Sequence, residues 1–142
     1  MKKILIINSN YYKKISSFLV EEAKKTLIKN NFETHVVEAP GVFEIPITIC
    51  KFIQSYDAFV ALGCVIKGET PHFDLICKST FESISKLSIN FNKPIGNGII
   101  TALNIDQAKA RCSSDPNSTK PNKGLEAAKA VIAVLENEPK KI

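Results

Sequence analysis

The chain has 142 residues, 44% of them hydrophobic and 23% charged, and a formal net charge of +5. This composition predicts a globular protein with one domain over residues 1–142, and no apolar run approaches the roughly 20 residues that a membrane span needs. The lysines are scattered and lack interleaved aromatic residues, so nucleic-acid binding is weakly supported. The apolar run after Lys3 has only four residues before Asn8, which predicts a first strand and not a signal peptide, and favours a cytoplasmic protein.

Strand and helix patterns alternate along the whole chain. Alternating or β-rich runs predict strands, whereas apolar residues at helical spacing predict helices. In chain order the predicted elements are a strand over 3–8, a helix over 15–27, a strand over 32–38, a helix over 42–53, a strand over 56–66, a helix from 71 to 87, a strand over 95–101, a short helix over 104–111 and a last helix over 125–135. This alternation predicts a parallel sheet with helices on both faces and a ligand site at the carboxyl ends of the strands.

The turn before the third helix carries the sharpest candidate site. It contains Gly68, Glu69, Thr70 and Pro71 and leads into His72. We expect Thr70 to cap the helix and Pro71 to take its first position, which leaves N–H groups and a positive dipole end that can bind an anion. The same positive end disfavours imidazolium, so His72 would be a neutral imidazole suited to proton transfer on a phosphorylated substrate. The alternative is a partly buried histidine that caps or packs.

Other features exclude some functions or leave two interpretations open. Residues 63–70 nearly match a P-loop, but Glu69 stands where that loop needs lysine, so an NTPase is excluded. Residues 40–44 are either a simple turn into a helix or a ligand-facing loop. Arg111 either stabilises a helix C-terminus or binds phosphate, and Tyr11 with Tyr12 forms either an ordinary aromatic surface or a stacking platform for a flat ring.

The four cysteines show no pattern of a metal site. Cys50, Cys64, Cys77 and Cys112 form no C-x-x-C pair and have no histidine at ligand spacing, and three of them lie in apolar periodic segments. We therefore expect no bound metal.

Four motifs together resemble the lumazine synthase family, which catalyses the penultimate step of riboflavin biosynthesis. They are Pro40-Gly-Val-Phe-Glu-Ile-Pro46, Ala61-Leu-Gly-Cys-Val-Ile-Lys-Gly-Glu-Thr-Pro-His-Phe-Asp74, Asn97-Gly-Ile-Ile-Thr101 and Asn122-Lys-Gly-Leu-Glu-Ala-Ala128. The resemblance implies a flavodoxin-like three-layer α/β/α sandwich with a four-stranded parallel sheet. It also implies a transferase that condenses 5-amino-6-(D-ribitylamino)uracil with 3,4-dihydroxy-2-butanone 4-phosphate and uses no metal or redox cofactor.

The same resemblance implies a role for each matching residue. His72 would be the general acid/base. The ribitylaminouracil would be bound by Tyr11, Val42, Phe43, Glu44, Cys64, Val65, Ile66 and Asn97. The butanone phosphate would be bound by Glu69, Thr70 and Arg111, with Lys123 and Glu126 in supporting positions. Members of the family place each active site between neighbouring subunits of a pentamer, so we expect a homo-oligomer whose neighbouring subunit supplies Asn97, Arg111 and Lys123.

Two features depart from the family pattern. Tyr12 follows the stacking aromatic where asparagine is common, and the loop over 112–121 is longer than in capsid-forming members. A longer loop should hinder the packing of pentamers into a shell, so we expect free pentamers or pairs of pentamers. Two other hypotheses remain at this point: a non-catalytic module that binds a flavin, lumazine or nucleotide, and a scaffold or shell protein.

Overall fold

A computed structural model describes all 142 residues of the chain. Its elements are β1 (Lys3–Ser9), α1 (Lys13–Lys29), β2 (Glu33–Ala39), α2 (Ile45–Phe52), β3 (Ala58–Ile66), α3 (His72–Phe91), β4 (Ile95–Ala102), α4 (Ile105–Arg111) and α5 (Lys123–Leu135). A 3₁₀ turn, Val42–Glu44, precedes α2. None of the helices combines the length and the apolar character that crossing a bilayer requires.

The four strands form one parallel sheet in the order β2-β1-β3-β4. β1 pairs with both β2 and β3, so that Ile6 lies between Val36 and Val60. Helices α1, α4 and α5 pack on one face of this sheet, and α2 and α3 pack on the other. The arrangement confirms the predicted flavodoxin-like three-layer α/β/α sandwich, in which all carboxyl ends of the strands lie along one edge of the sheet.

Alternating side chains of the central strands form the two core layers. Ile4 and Ile6 of β1 face α1 and α5, whereas Leu5 and Ile7 face α2 and α3. All four are at most 2% exposed, and burying one such side chain contributes about 1.5–3 kcal/mol. These two layers therefore fix the sheet whose ends carry the candidate site.

Helices α1 and α5 approach each other closely at the start of α5. Asn122 caps α5, because its Oδ1 accepts hydrogen bonds from the backbone N–H groups of Gly124 (2.8 Å) and Leu125 (3.1 Å). Its Nδ2 donates to the carbonyl oxygen of Cys112 at 2.8 Å, which ties the end of α4 to the start of α5. A Cβ at Gly124 would stand 2.1 Å from the carbonyl oxygen of Leu19. Only glycine fits this contact.

All five predicted helix starts differ from the structure by one to three residues, and two of the differences fall at prolines. α3 begins at His72, one residue later than predicted, because the backbone of Pro71 (φ −70°, ψ 3°) is not α-helical. Thr70 Oγ1 lies 3.5 Å from the backbone nitrogen of His72, a distance that is too long for a strong cap. The predicted helix over 42–53 is divided into the 3₁₀ turn and α2, since Pro46 in the first turn of α2 has no N–H to continue an α-helical ladder.

Candidate active site

A cleft of about 590 Å³ lies at the carboxyl ends of β1 and β3. Eight of the predicted site residues line it. Four come from the β1–α1 turn and the 3₁₀ turn: Tyr11, Val42, Phe43 and Glu44. The other four come from the end of β3 and the start of α3: Cys64, Val65, Ile66 and His72. The structure therefore brings together segments that are up to 61 residues apart in the sequence, from Tyr11 to His72.

Gly63 allows β3 to approach its neighbours at the floor of the cleft. A Cβ at this position would lie 2.9 Å from Val42 Cγ2 and 3.1 Å from Ser9 Cβ. Any larger residue at position 63 would push the 3₁₀ turn outward. The glycine therefore sets how close Val42 and its neighbours come to the end of β3.

His72 stands at the rim of the cleft, where α3 begins. Its side chain is exposed, and the first backbone hydrogen bond of this turn runs from Leu75 N to the Pro71 carbonyl oxygen at 3.2 Å. The N–H groups of the first helical residues have no partner within the helix and carry the positive end of its dipole. The imidazole thus lies beside donors that can bind an anionic group. Glu69 and Thr70 lie exposed in the preceding turn, outside the lining of the cleft.

Two lining residues of the cleft, Cys64 and Tyr12, are uncharged near neutral pH. Burial, followed by the nearby Cys112, raises the pKa of the Cys64 thiol to about 12. Burial also raises the pKa of Tyr12, with smaller contributions from Cys64 and Tyr11. Cys64 and Tyr12 therefore remain a thiol and a phenol near pH 7. No three His, Cys, Asp or Glu side chains are arranged to hold a metal ion.

Four predicted site residues lie away from this cleft within the same chain. Asn97 lies exposed on β4, and its Oδ1 accepts a hydrogen bond from the Ile99 backbone at 3.1 Å. Arg111 lies in the last turn of α4, where its Nη1 donates to the Gln107 carbonyl oxygen at 3.1 Å. The remaining two, Lys123 and Glu126, form an ion pair of 3.2 Å in the first turn of α5.

Five lining residues were not among the predicted site residues: Ser9, Tyr12, Pro40, Gly41 and Ile76. Ser9 ends β1 and is 1% exposed, and its Oγ has no hydrogen-bond partner. Tyr12 and Ile76 also line the cleft. Position along the strand could have indicated Ser9, because a strand-end side chain in a parallel sheet faces the ligand edge. Ile76 lies one helical turn after His72, so the same face of α3 could have indicated it.

The fold and the cleft define a flavodoxin-like α/β protein with a cleft at the strand ends and an imidazole at the rim of that cleft. A family model described as 6,7-dimethyl-8-ribityllumazine synthase matches residues 1–138. The chain belongs to this family, and it is a transferase of riboflavin biosynthesis.

Curated relatives support this assignment over nearly the whole chain. The 6,7-dimethyl-8-ribityllumazine synthase of Zymomonas mobilis is 38% identical over 142 residues, which covers 99% of both chains. That of Novosphingobium aromaticivorans is 40% identical over 137 residues and covers 95% of each. That of Campylobacter jejuni strain RM1221 is 37% identical over 138 residues, which is 94% of this chain and 87% of the relative.

Proposed function

We propose that this chain condenses 5-amino-6-(D-ribitylamino)uracil with 3,4-dihydroxy-2-butanone 4-phosphate to give 6,7-dimethyl-8-ribityllumazine, phosphate and water. The observation that carries the proposal is the position of His72, beside free N–H donors and at the rim of a cleft lined by Tyr11, Phe43 and Glu44. The chemistry requires imine formation, elimination of phosphate and ring closure. Each step moves protons, and a neutral imidazole can accept and return them.

The two ends of the cleft suit the two substrates. The exposed ring of Tyr11 would stack on the pyrimidine, while Val42 and Phe43 would contact its other atoms and Glu44 would accept hydrogen bonds from ribityl hydroxyls. The uracil edge would meet the main-chain groups at the end of β3, where Cys64, Val65 and Ile66 line the same cleft. Holding both substrates in one geometry would supply much of the rate acceleration.

The phosphate of the butanone would bind at the start of α3. Free N–H groups there, with Glu69 and Thr70 in the same turn, form one half of the binding site, and the bidentate guanidinium of Arg111 would form the other half. Arg111 and Asn97 lie away from the cleft of their own chain, as do Lys123 and Glu126. We therefore assign Asn97, Arg111 and Lys123 to the site of the neighbouring subunit, with Glu126 supporting Lys123.

This assignment requires an oligomer, and we propose a homopentamer or a pair of pentamers of a one-domain chain over 1–142. The loop over 112–121 follows Arg111 directly and projects polar, exposed residues, which would oppose assembly into a closed shell. We also propose a cytoplasmic enzyme that needs two small-molecule substrates and no cofactor, nucleic acid or membrane.

The direct test of activity mixes both substrates with the protein and follows the absorbance and fluorescence of the lumazine product. Wild type should exceed the uncatalysed background. His72→Ala should lose part of that gain and not all of it, because positioning of the substrates survives the change. His35→Ala is the matched control. This second histidine lies on β2, outside the cleft, and contacts Glu33 of the same strand at 3.2 Å and Tyr56 of the loop before β3 at 2.8 Å. Equal rates for wild type and background would refute the proposed function.

A subunit-mixing experiment tests whether neighbouring chains share the site. His72→Ala and Arg111→Ala are each assayed alone and then unfolded together, mixed in equal amounts and refolded. If each site takes His72 from one chain and Arg111 from the next, about a quarter of the sites in the mixture regain both residues. Activity of the mixture should then exceed the mean of the two variants. A mixture that equals this mean would place both residues in the same chain's site.

Sedimentation tests the size of the assembly. Five copies of the 15.7 kDa chain would give a particle of about 79 kDa, and a pair of pentamers would have twice that mass. A particle of megadalton mass would contradict the proposed effect of the 112–121 loop.

A further inference from the structure

Two adjacent tyrosines lie at the end of β1 and both line the cleft. The ring centroids of Tyr11 and Tyr12 are 5.0 Å apart, and their planes meet at 76°. This is the edge-to-face geometry that aromatic pairs favour. The contact joins two side chains that differ sharply in how firmly the rest of the chain holds them.

Tyr12 is held by the body of the protein. Its ring is half-buried and packs against the core layer formed by α1 and α5. Its carbonyl oxygen accepts a hydrogen bond from the backbone N–H of Ser16 at 2.9 Å, so its main chain is fixed to the first turn of α1. Both the backbone and the ring of Tyr12 are therefore anchored.

Tyr11 is 74% exposed, and Tyr12 is the aromatic ring that contacts it. An exposed side chain moves among several rotamers, and a ligand that stacks on it must overcome the entropy of fixing one of them. A neighbouring ring that already restricts this motion reduces the cost of binding. The benefit depends on the ring of Tyr12 and not on its hydroxyl.

We propose that Tyr12 is a positioning residue for the pyrimidine substrate, whose anchored ring restricts the motion of Tyr11 and so lowers the cost of stacking on Tyr11. The proposal rests on the proposed function, in which Tyr11 stacks on the ribitylated ring. Tyr12 acts through Tyr11, so its effect is confined to the ligand that stacks there. Loss of the aromatic contact should weaken the binding of that ligand by about 2- to 12-fold, which is the effect expected for one aromatic pair.

The test is a double-mutant cycle on the binding of 6,7-dimethyl-8-ribityllumazine, measured by its fluorescence at equilibrium. Tyr12→Leu keeps apolar bulk against the core but has no aromatic ring, and Tyr12→Phe restores the ring without the hydroxyl. Each is made in the wild type and in Tyr11→Ala. Phe32→Leu is the matched control, because Phe32 packs on the same core layer and lies outside the cleft.

The expected result has three parts. Tyr12→Leu raises the dissociation constant of the lumazine by about 2- to 12-fold, and Tyr12→Phe keeps the wild-type value. In the Tyr11→Ala background, Tyr12→Leu has no further effect on this constant. In turnover, Tyr12→Leu raises KM for the ribitylaminouracil and leaves KM for the butanone phosphate unchanged.

Three results would overturn the proposal. The first is that Tyr12→Leu weakens lumazine binding equally in wild type and in Tyr11→Ala. The second is that Tyr12→Leu raises both KM values equally. The third is that Phe32→Leu weakens lumazine binding as much as Tyr12→Leu does. Lumazine that binds to a wild type without turnover would refute the proposed catalytic function alone, because the binding cycle still tests the role of Tyr12.

Discussion

Gly124→Ala should destabilise the protein through the contact of α5 with α1. The added Cβ would stand 2.1 Å from the carbonyl oxygen of Leu19, 2.9 Å from its carbonyl carbon and 3.0 Å from its Cα. All three are backbone atoms of a fully buried residue, so no side-chain rotation relieves the clash. Carbon–oxygen contacts in proteins lie at about 3.3 Å or more, so α5 would have to move from α1 by roughly 1 Å.

The magnitude follows from two opposing effects. Overpacking of this kind costs about 1–3 kcal/mol and occasionally more. Alanine is a better helix former than glycine by up to about 1 kcal/mol, but the gain is small in a first turn that is already capped. We expect a net loss of about 2 kcal/mol in the free energy of unfolding, which lowers Tm by about 4–8 °C for a chain of this size.

Urea unfolding followed by circular dichroism measures this loss. Gly68→Ala is the matched control, because a Cβ there meets no atom within 4 Å. It should change the free energy of unfolding by less than about 1 kcal/mol. All samples need the same protein concentration, since oligomer formation shifts apparent stability. If Gly124→Ala proves as stable as Gly68→Ala, the packing argument for this glycine is refuted.

Three further outcomes follow from the site and its supports. Asn122→Ala should lower the free energy of unfolding in urea by about 1–3 kcal/mol, because it removes a helix cap and leaves the buried Cys112 carbonyl unpaired. Asn104→Ala, at the exposed cap of α4, should lower it by less. The folded-state pKa of Cys64 is about 12 against an ordinary 9.0, so its contribution to stability is complete below pH 9 and is lost as pH rises from 9 towards 12. Between pH 9 and pH 11 the free energy of unfolding of wild type should fall by up to about 1.4 kcal/mol per pH unit more than that of Cys64→Ala. Parallel curves of this free energy against pH would exclude the effect. In the folded protein at pH 8 a disulfide reagent should modify the exposed Cys50 well before Cys64, and comparable rates would contradict the burial of Cys64.

Much of the fold was predictable because both hydrophobic periods are strong in this sequence. The apolar run that became β3 is buried from residue 58 to 64, as a central parallel strand should be. The apolar stripe on α3 also lies where its spacing predicts, with Thr80 and Ile84 buried. Two of the errors in helix starts fall at prolines. Periodicity places a helix, but the backbone angles of Pro71 and the missing N–H of Pro46 decide where its first turn begins.

The candidate site was predictable where it is built from strand ends of one chain. Residues 40–44 and 63–72 could be assigned to a common site because parallel strands end at the same edge of a sheet, and the cleft lies there. Ser9 and Tyr12 carry no motif of their own, and their places in the cleft follow from their position at and just after the end of β1. The assignment of Asn97 and Arg111 to the cleft of a neighbouring subunit stays a prediction, because no periodicity within one chain encodes an interface between chains.

The Asn122-Lys-Gly motif illustrates how a residue near a site can be required for packing. The sequence associates the motif with substrate binding, yet the cap formed by Asn122 and the close contact of Gly124 with Leu19 are sufficient structural reasons for two of its three positions. Lys123 is different, since it lies between them on the surface and makes only a partly exposed ion pair with Glu126. Such a pair stabilises a protein by at most about 1 kcal/mol, so stability alone gives little reason for a lysine there. Within this motif, Lys123 is therefore the position for which we predict a functional role, and Asn122 and Gly124 hold the helix that presents it.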